Sequence, residues 1–129
     1  MNDQLVRGRE GIYFGYEFAV HAGPKQLPDD VLGYYVEILA SQPDALRGSF
    51  GWYRELDTTT AQNAQRATRP LTIPVLGVGG AESLGDGPAS TMKLAASNVQ
   101  TLVIPGCGHW VAEQAPHDLL AGLAAFLDS

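Results

Sequence analysis

The pattern of apolar positions changes character along this chain, and the change falls near Arg69-Pro70. The first half is helical in pattern. An aromatic-rich segment from about Arg9 to Ala22 carries Ile12, Tyr13, Phe14, Tyr16 and Phe18, and Gly23-Pro24 stops it. A second helix is expected to open at Pro28-Asp29-Asp30, where proline suits the first turn and two carboxylates meet the positive helix end. Val31, Tyr34, Tyr35, Ile38 and Leu39 then form one apolar face at i, i+3, i+4, i+7 and i+8. Pro43-Asp44 opens a third helix with Leu46, Phe50, Trp52, Tyr53 and Leu56. Asp57-Thr58-Thr59-Thr60 reads as a break or a new cap, followed by a polar helix over Ala61 to Thr68.

Beyond Arg69-Pro70 short apolar runs alternate with helical stretches. Ile73 to Val78 is an apolar run ending in Gly79-Gly80 and predicts a buried strand. A helix is expected from about Pro88 to Ser97, and Gln100 to Ile104 predicts a second strand closed by Pro105-Gly106. A last helix begins near Pro116, with Leu119, Leu120, Leu123, Phe126 and Leu127 on one stripe. This β-α-β-α order predicts an α/β fold with a parallel sheet and crossover helices. Two parallel strands do not make a stable sheet on their own, so the chain reads as one end of a larger sheet behind a helical segment. The expected division is a helical unit over 1–68 and a β-α-β-α unit over 69–129.

Composition narrows the function classes. The 129 residues allow one ordinary domain. With 8 Lys and Arg against 14 Asp and Glu, the net charge is −6, and no basic cluster exists to displace counterions from a phosphate backbone. Nucleic acid is not an expected partner. A single cysteine, Cys107, excludes an internal disulfide and a thiolate-rich metal site. No apolar run approaches the roughly 18 residues of a membrane span, and no apolar leader is visible, so a cytoplasmic protein without membrane association is expected.

The most informative stretch is Pro105-Gly106-Cys107-Gly108-His109-Trp110-Val111-Ala112-Glu113-Gln114-Ala115-Pro116. It places His109 in a glycine-rich turn after a strand, at the carboxyl edge of the sheet, where α/β proteins keep their active sites. The competing reading is a surface histidine in a loop. The pattern G-x-G-H-W-x-x-E-x-x-P resembles the α/β-hydrolase superfamily, and within it the epoxide hydrolase branch. Gly8-Arg9-Glu10, Phe50-Gly51-Trp52-Tyr53-Arg54 and Ile73-Pro74-Val75-Leu76-Gly77-Val78-Gly79-Gly80 carry the same resemblance. It covers the whole chain but only the family's second half: the helical cap, the last two strands and the closing helix.

The resemblance implies a catalytic pathway without a cofactor or metal. An aspartate attacks an epoxide carbon to form an ester, and His109, as general base, activates the water that hydrolyses it. Tyr53 corresponds to the cap tyrosine that donates a proton or hydrogen bond to the opening epoxide oxygen. Its bland alternative is a core aromatic at helical spacing. Trp110 and Trp52, with the aromatic cap helices, are expected to line a pocket for a small apolar substrate.

The departures from the family are equally specific. The nucleophile elbow and the oxyanion turn belong upstream of Ile73, so the N-terminal half of the fold is an expected requirement, and the 129 residues alone are expected to be inactive. The acid that orients the histidine aligns with Ser83. Glu82 or Asp86 substitutes for it, or the acid stands on an earlier strand.

Three other motifs carry weaker signals. Ala81-Glu82-Ser83-Leu84-Gly85 resembles a nucleophile elbow but leaves one strand where a hydrolase needs more. His109, Glu113 and His117 at i, i+4 and i+8 would suit a metal on one helix, which Pro116 interrupts. Gly77-Val78-Gly79-Gly80 lacks the full spacing of a phosphate loop. His21 has no partner visible in sequence. The rival function class is a non-catalytic binding module of hydrolase ancestry, and an esterase or dehalogenase is the sibling chemistry.

Overall fold

Proline at position 28, with φ −58° and no N–H to leave unpaired, opens a helix over Asp29–Ser41, and Gly23, at φ +66°, ends the one before it. These lie within a computed structural model that describes residues 3–42 and 44–128. Pro43, expected to help open the third helix, falls outside the described residues. Among them the helical half comprises α1 (Asp3–Val6), α2 (Glu10–His21), α3 (Asp29–Ser41), α4 (Ala45–Arg54) and α5 (Leu56–Arg66). The second half runs β1 (Val75–Gly80), α6 (Gly87–Met92), β2 (Val99–Ile104), α7 (Val111–Gln114) and α8 (Pro116–Leu127).

The helical half has its own small core. Val6, Leu46 and Phe50 are buried, and Tyr13 and Phe14 close over them. Tyr13 meets Phe14 and Phe50 edge-on, with ring centroids 5.0 and 5.7 Å apart, a favoured geometry for the ring quadrupoles. Glu10 fixes the entry to α2: its carboxylate accepts the Gly8 N–H at 2.9 Å, and main-chain hydrogen bonding holds its pKa below the usual carboxylate range. The apolar face of α3 differs from the expected one. Leu32 and Val36 share the half-buried side with Tyr35, Ile38 and Leu39, while Tyr34 turns out to solvent.

The threonine run is not a break. The interruption falls at Glu55 (φ −96°, ψ 12°), and Thr58 to Thr60 lie inside α5, with the Thr59 N–H bonded to the Glu55 carbonyl at 2.8 Å. No residue of α5 is buried, so neither packing nor an apolar stripe marks its start.

β1 and β2 pair in parallel, Val75 opposite Val99 and Gly80 opposite Ile104, as a two-stranded sheet. The expected buried strand is only partly buried. Val75, Leu76 and Val78 are half-covered, and the fully buried positions are the glycines. α6 lies so close to β1 that a Cβ on Gly77 would stand 2.4 Å from the Ala89 Cα. That helix is shorter than its composition suggests. It ends at Met92, because the next residues turn to bring Leu71 and Ala96 into a parallel bridge. The stripe on α8 is similarly open: Leu120 and Leu127 are 66% and 78% exposed, and Leu119 and Phe126 only half-buried. Among the described residues, no helix is long and apolar enough to cross a membrane.

Candidate active site

The histidine loop begins where β2 ends at Ile104, the most deeply buried large side chain of the sheet. Gly106, at φ +63°, supplies the left-handed turn that a side chain resists. Gly108 then passes so close to the helical half that a Cβ there would lie 2.1 Å from the Ala22 carbonyl oxygen. Directly after it, the His109 N–H donates to the His21 carbonyl at 2.9 Å. The loop is thus seated on the C-terminal end of α2. Gly108→Ala is expected to cost about 1–3 kcal/mol, the usual range for overpacking, read as a lowered thermal midpoint. An unchanged midpoint would contradict this close approach.

His109 is exposed toward a cleft of about 520 Å³, on which His109, Trp110, Trp52 and Tyr53 all open. Four of the five site residues expected from sequence therefore share one cavity, two from α4 and two from the loop after β2, whereas Glu82 does not line it. Trp110 is held by its indole N–H, which donates to the Phe18 carbonyl at 3.0 Å, and by a ring contact with Phe18 at 4.4 Å. Its ring meets the His109 imidazole edge-on at 4.9 Å. Trp52 and Tyr53, which line the same cleft from α4, are 83% and 71% exposed.

The imidazole's Nδ1 faces the Ser83 hydroxyl at 3.5 Å. Ser83, the position that aligns with the orienting acid, is therefore the residue of the turn after β1 that meets the histidine. No hydrogen bond joins Glu82 or Asp86 to His109 among the described residues; Asp86 instead accepts from Ser90 at 3.3 Å, within α6. With Nδ1 turned to Ser83, Nε2 is the nitrogen left for chemistry.

Sequence reasoning missed two features of the cleft. His21 has partners after all: Glu17 stands 3.4 Å from its Nε2, and its ring lies 5.8 Å from that of His109. Nothing local signals this, because 88 positions of chain separate the two histidines. Tyr13 is the other. Burial first, then the Glu17 carboxylate to which it is hydrogen-bonded, raise its phenol pKa above the usual value, so it stays protonated at neutral pH. Cys107 is equally inert: burial pushes its thiol up, against a smaller opposing effect of Lys25.

The i, i+4, i+8 register of His109, Glu113 and His117 does not exist as one helix. Ala115, at φ −141° and ψ 54°, separates α7 from α8. Glu113 instead accepts a short hydrogen bond from the Tyr35 hydroxyl. Among the described residues no three His, Cys, Asp or Glu side chains are placed to hold a metal ion. A larger open groove, about 1180 Å³, runs between the end of α5 and the turn after α6, past Arg66, Leu71 and Met92. None of the candidate residues lies on it.

No protein-family model matches the chain. A soluble epoxide hydrolase from Corynebacterium sp. (strain C12) is 32% identical over 93 residues, which are 72% of this chain and 32% of that protein. Among solved structures, the epoxide hydrolase CorEH without ligand superposes with a TM-score of 0.85 at 26% identity, over 98% of this chain and 45% of its own. Cfl2 from Burkholderia cenocepacia does so with a TM-score of 0.84 at 25% identity, over 96% and 42%. The Cif epoxide hydrolase from Acinetobacter nosocomialis gives 0.87 at 23% identity, over 97% and 41%. The chain spans about a third of the curated relative's length and under half of each solved structure. It has the helical cap and C-terminal part of the α/β-hydrolase fold. Within that class, its likeness is to the epoxide hydrolases.

Proposed function

We propose that the protein carrying this chain adds water to a small apolar epoxide, with His109 as general base and Tyr53 as the acid of ring opening. One observation carries the reading. His109, Tyr53, Trp52 and Trp110 line a single cleft, in a chain whose likeness is to epoxide hydrolases. Trp52 and Trp110 give the substrate apolar surface. An aspartate of the upstream part attacks one epoxide carbon, the C–O bond opens, and the oxygen takes its proton from the Tyr53 hydroxyl. His109 Nε2 then takes a proton from the water that attacks the ester carbonyl; the departing alkoxide takes the proton of the acid so formed, the diol leaves as the carboxylate is regenerated, and the proton on His109 returns through solvent to the Tyr53 phenolate. Glu82 was the carboxylate at hand to orient His109. The Ser83 contact favours a carboxylate from the upstream part for that task, with Ser83 beside it.

The proposal has three further parts. The cap is residues 1–68 and the core portion residues 69–129. The N-terminal half of the fold is required, because the nucleophile and the oxyanion donors belong to it. The protein works in the cytoplasm.

The deciding experiment is a panel of epoxides, esters and alkyl halides given to the full-length protein. Diol formation from epoxides is expected; activity on esters or halides alone would move the assignment to a sibling chemistry. Tyr53→Phe is expected to lower kcat on epoxides by about 10²-fold, the loss typical of one donor to a developing oxyanion, with the protein still folded by circular dichroism. Full activity in that variant would remove Tyr53 from the mechanism.

A further inference from the structure

Gln114 is 2% exposed, and the whole of its side-chain amide is used. Its Nε2 donates to the Ala22 carbonyl at 2.6 Å and to the Lys25 carbonyl at 2.5 Å. Its Oε1 accepts the Trp110 N–H at 3.2 Å and the Cys107 thiol at 3.7 Å. Lys25 returns a short bond from Nζ to the main-chain carbonyl of Gln114. Ala22 and Lys25 form the turn between α2 and α3, whereas Cys107 and Trp110 flank His109. One buried amide therefore joins the turn of the helical half to the loop that carries the histidine.

Few side chains could take this place. The site asks for two donors toward carbonyls and an acceptor toward an N–H, which is the inventory of a primary amide. An apolar residue of the same size would leave the Ala22 carbonyl, on a residue with 0% exposure, without this partner. The surrounding contacts converge on the same seam. Gly108 abuts the Ala22 carbonyl, His109 bonds to His21, and Trp110 bonds to Phe18. Across that seam stand the two groups given to the reaction, Tyr53 on α4 and His109 on the loop.

We propose that Gln114 is a positioning residue for the reaction: its amide fixes the histidine loop to the cap turn, and so sets His109 against Tyr53 across the cleft. This rests on the reading of those two residues as base and acid. Gln114 itself touches neither substrate nor reacting atoms. Its effect passes through the placement of His109, and small displacements of a catalytic group are costly in rate.

The test is Gln114→Met in the full-length protein, which keeps the side chain's length and removes both donors and the acceptor. The expected result is a fall in kcat of about 10- to 100-fold, with KM within about twofold of the original. Amide hydrogen exchange at the His109 N–H is expected to accelerate by at least about 10-fold, as the loop loosens from His21. A lowered thermal midpoint with unchanged kcat per folded molecule and unchanged exchange at His109 would overturn the proposal. Should Gln114→Met not fold, Lys25→Met serves in its place, since Lys25 is exposed. It is expected to move both readouts in the same direction by about 2- to 5-fold, and no movement in either would likewise overturn the proposal. If the unaltered protein turns over no epoxide, the functional reading fails while the exchange measurement still decides the clasp.

Discussion

Replacing His109 by Gln in the full-length protein is expected to lower kcat on an epoxide by about 10²- to 10⁴-fold, the range that general base catalysis supplies. The glutamine preserves the size and polarity of the loop tip but has no basic nitrogen at neutral pH. The loop itself is fixed by its main chain, through the His109 N–H to the His21 carbonyl, and by the Trp110 indole on Phe18. Neither contact depends on the imidazole, so the variant is expected to fold as the original does. Loss of hydrolysis with an unchanged thermal midpoint is thus the signature of lost chemistry. A variant retaining more than about a tenth of the original kcat would remove His109 from the base role. A solvent-exposed loop histidine would then be the better description, and the binding-module reading would gain.

The second expected result concerns these 129 residues taken by themselves. They are expected to show no epoxide turnover above background, and to gain it when the upstream half of the fold is supplied. The physical ground is visible in the sheet. Among the described residues each strand has one partner, and parallel pairs are stable within larger sheets covered on both faces. Val103, Leu120, Leu123 and Leu127 remain 37%, 66%, 38% and 78% exposed, a surface that monomeric proteins rarely leave open. Co-expression with the upstream half is expected to raise both the recovered protein and the hydrolysis rate from zero. Measurable hydrolysis by the 129 residues alone, lost in His109→Ala, would refute this account of the missing machinery.

Much of the architecture was legible because its signals are local. Proline and acids at Pro28-Asp29-Asp30, the spacing of Val31 to Leu39 and the apolar run before Gly79-Gly80 each act within a few residues of where they stand. The histidine loop was legible for the same reason, since two glycines, a strand end and a following helix surround His109 in sequence. The expectations that failed depended on distant partners. α6 stops at Met92 because Leu71 must reach Ala96, and nothing within Pro88 to Ser97 records that. The threonines of α5 suggest a break because their capping tendency is strong, yet the chain turns three residues before Thr58, at Glu55. The roles of His21 and Gln114 were not legible because their meaning lies in partners about 90 positions away. A buried glutamine leaves no periodic trace, and a histidine at a helix end looks like any other.

In the proposed reaction an epoxide is opened by a carboxylate and released from it by His109. The most direct measurement is the intact mass of full-length His109→Gln after incubation with excess epoxide. The expected result is a gain equal to the mass of one epoxide per protein, persisting because the ester forms but its hydrolysis lacks a base. An unchanged mass in the variant, alongside diol production by the unaltered protein, would contradict the covalent pathway and the role given to His109 within it.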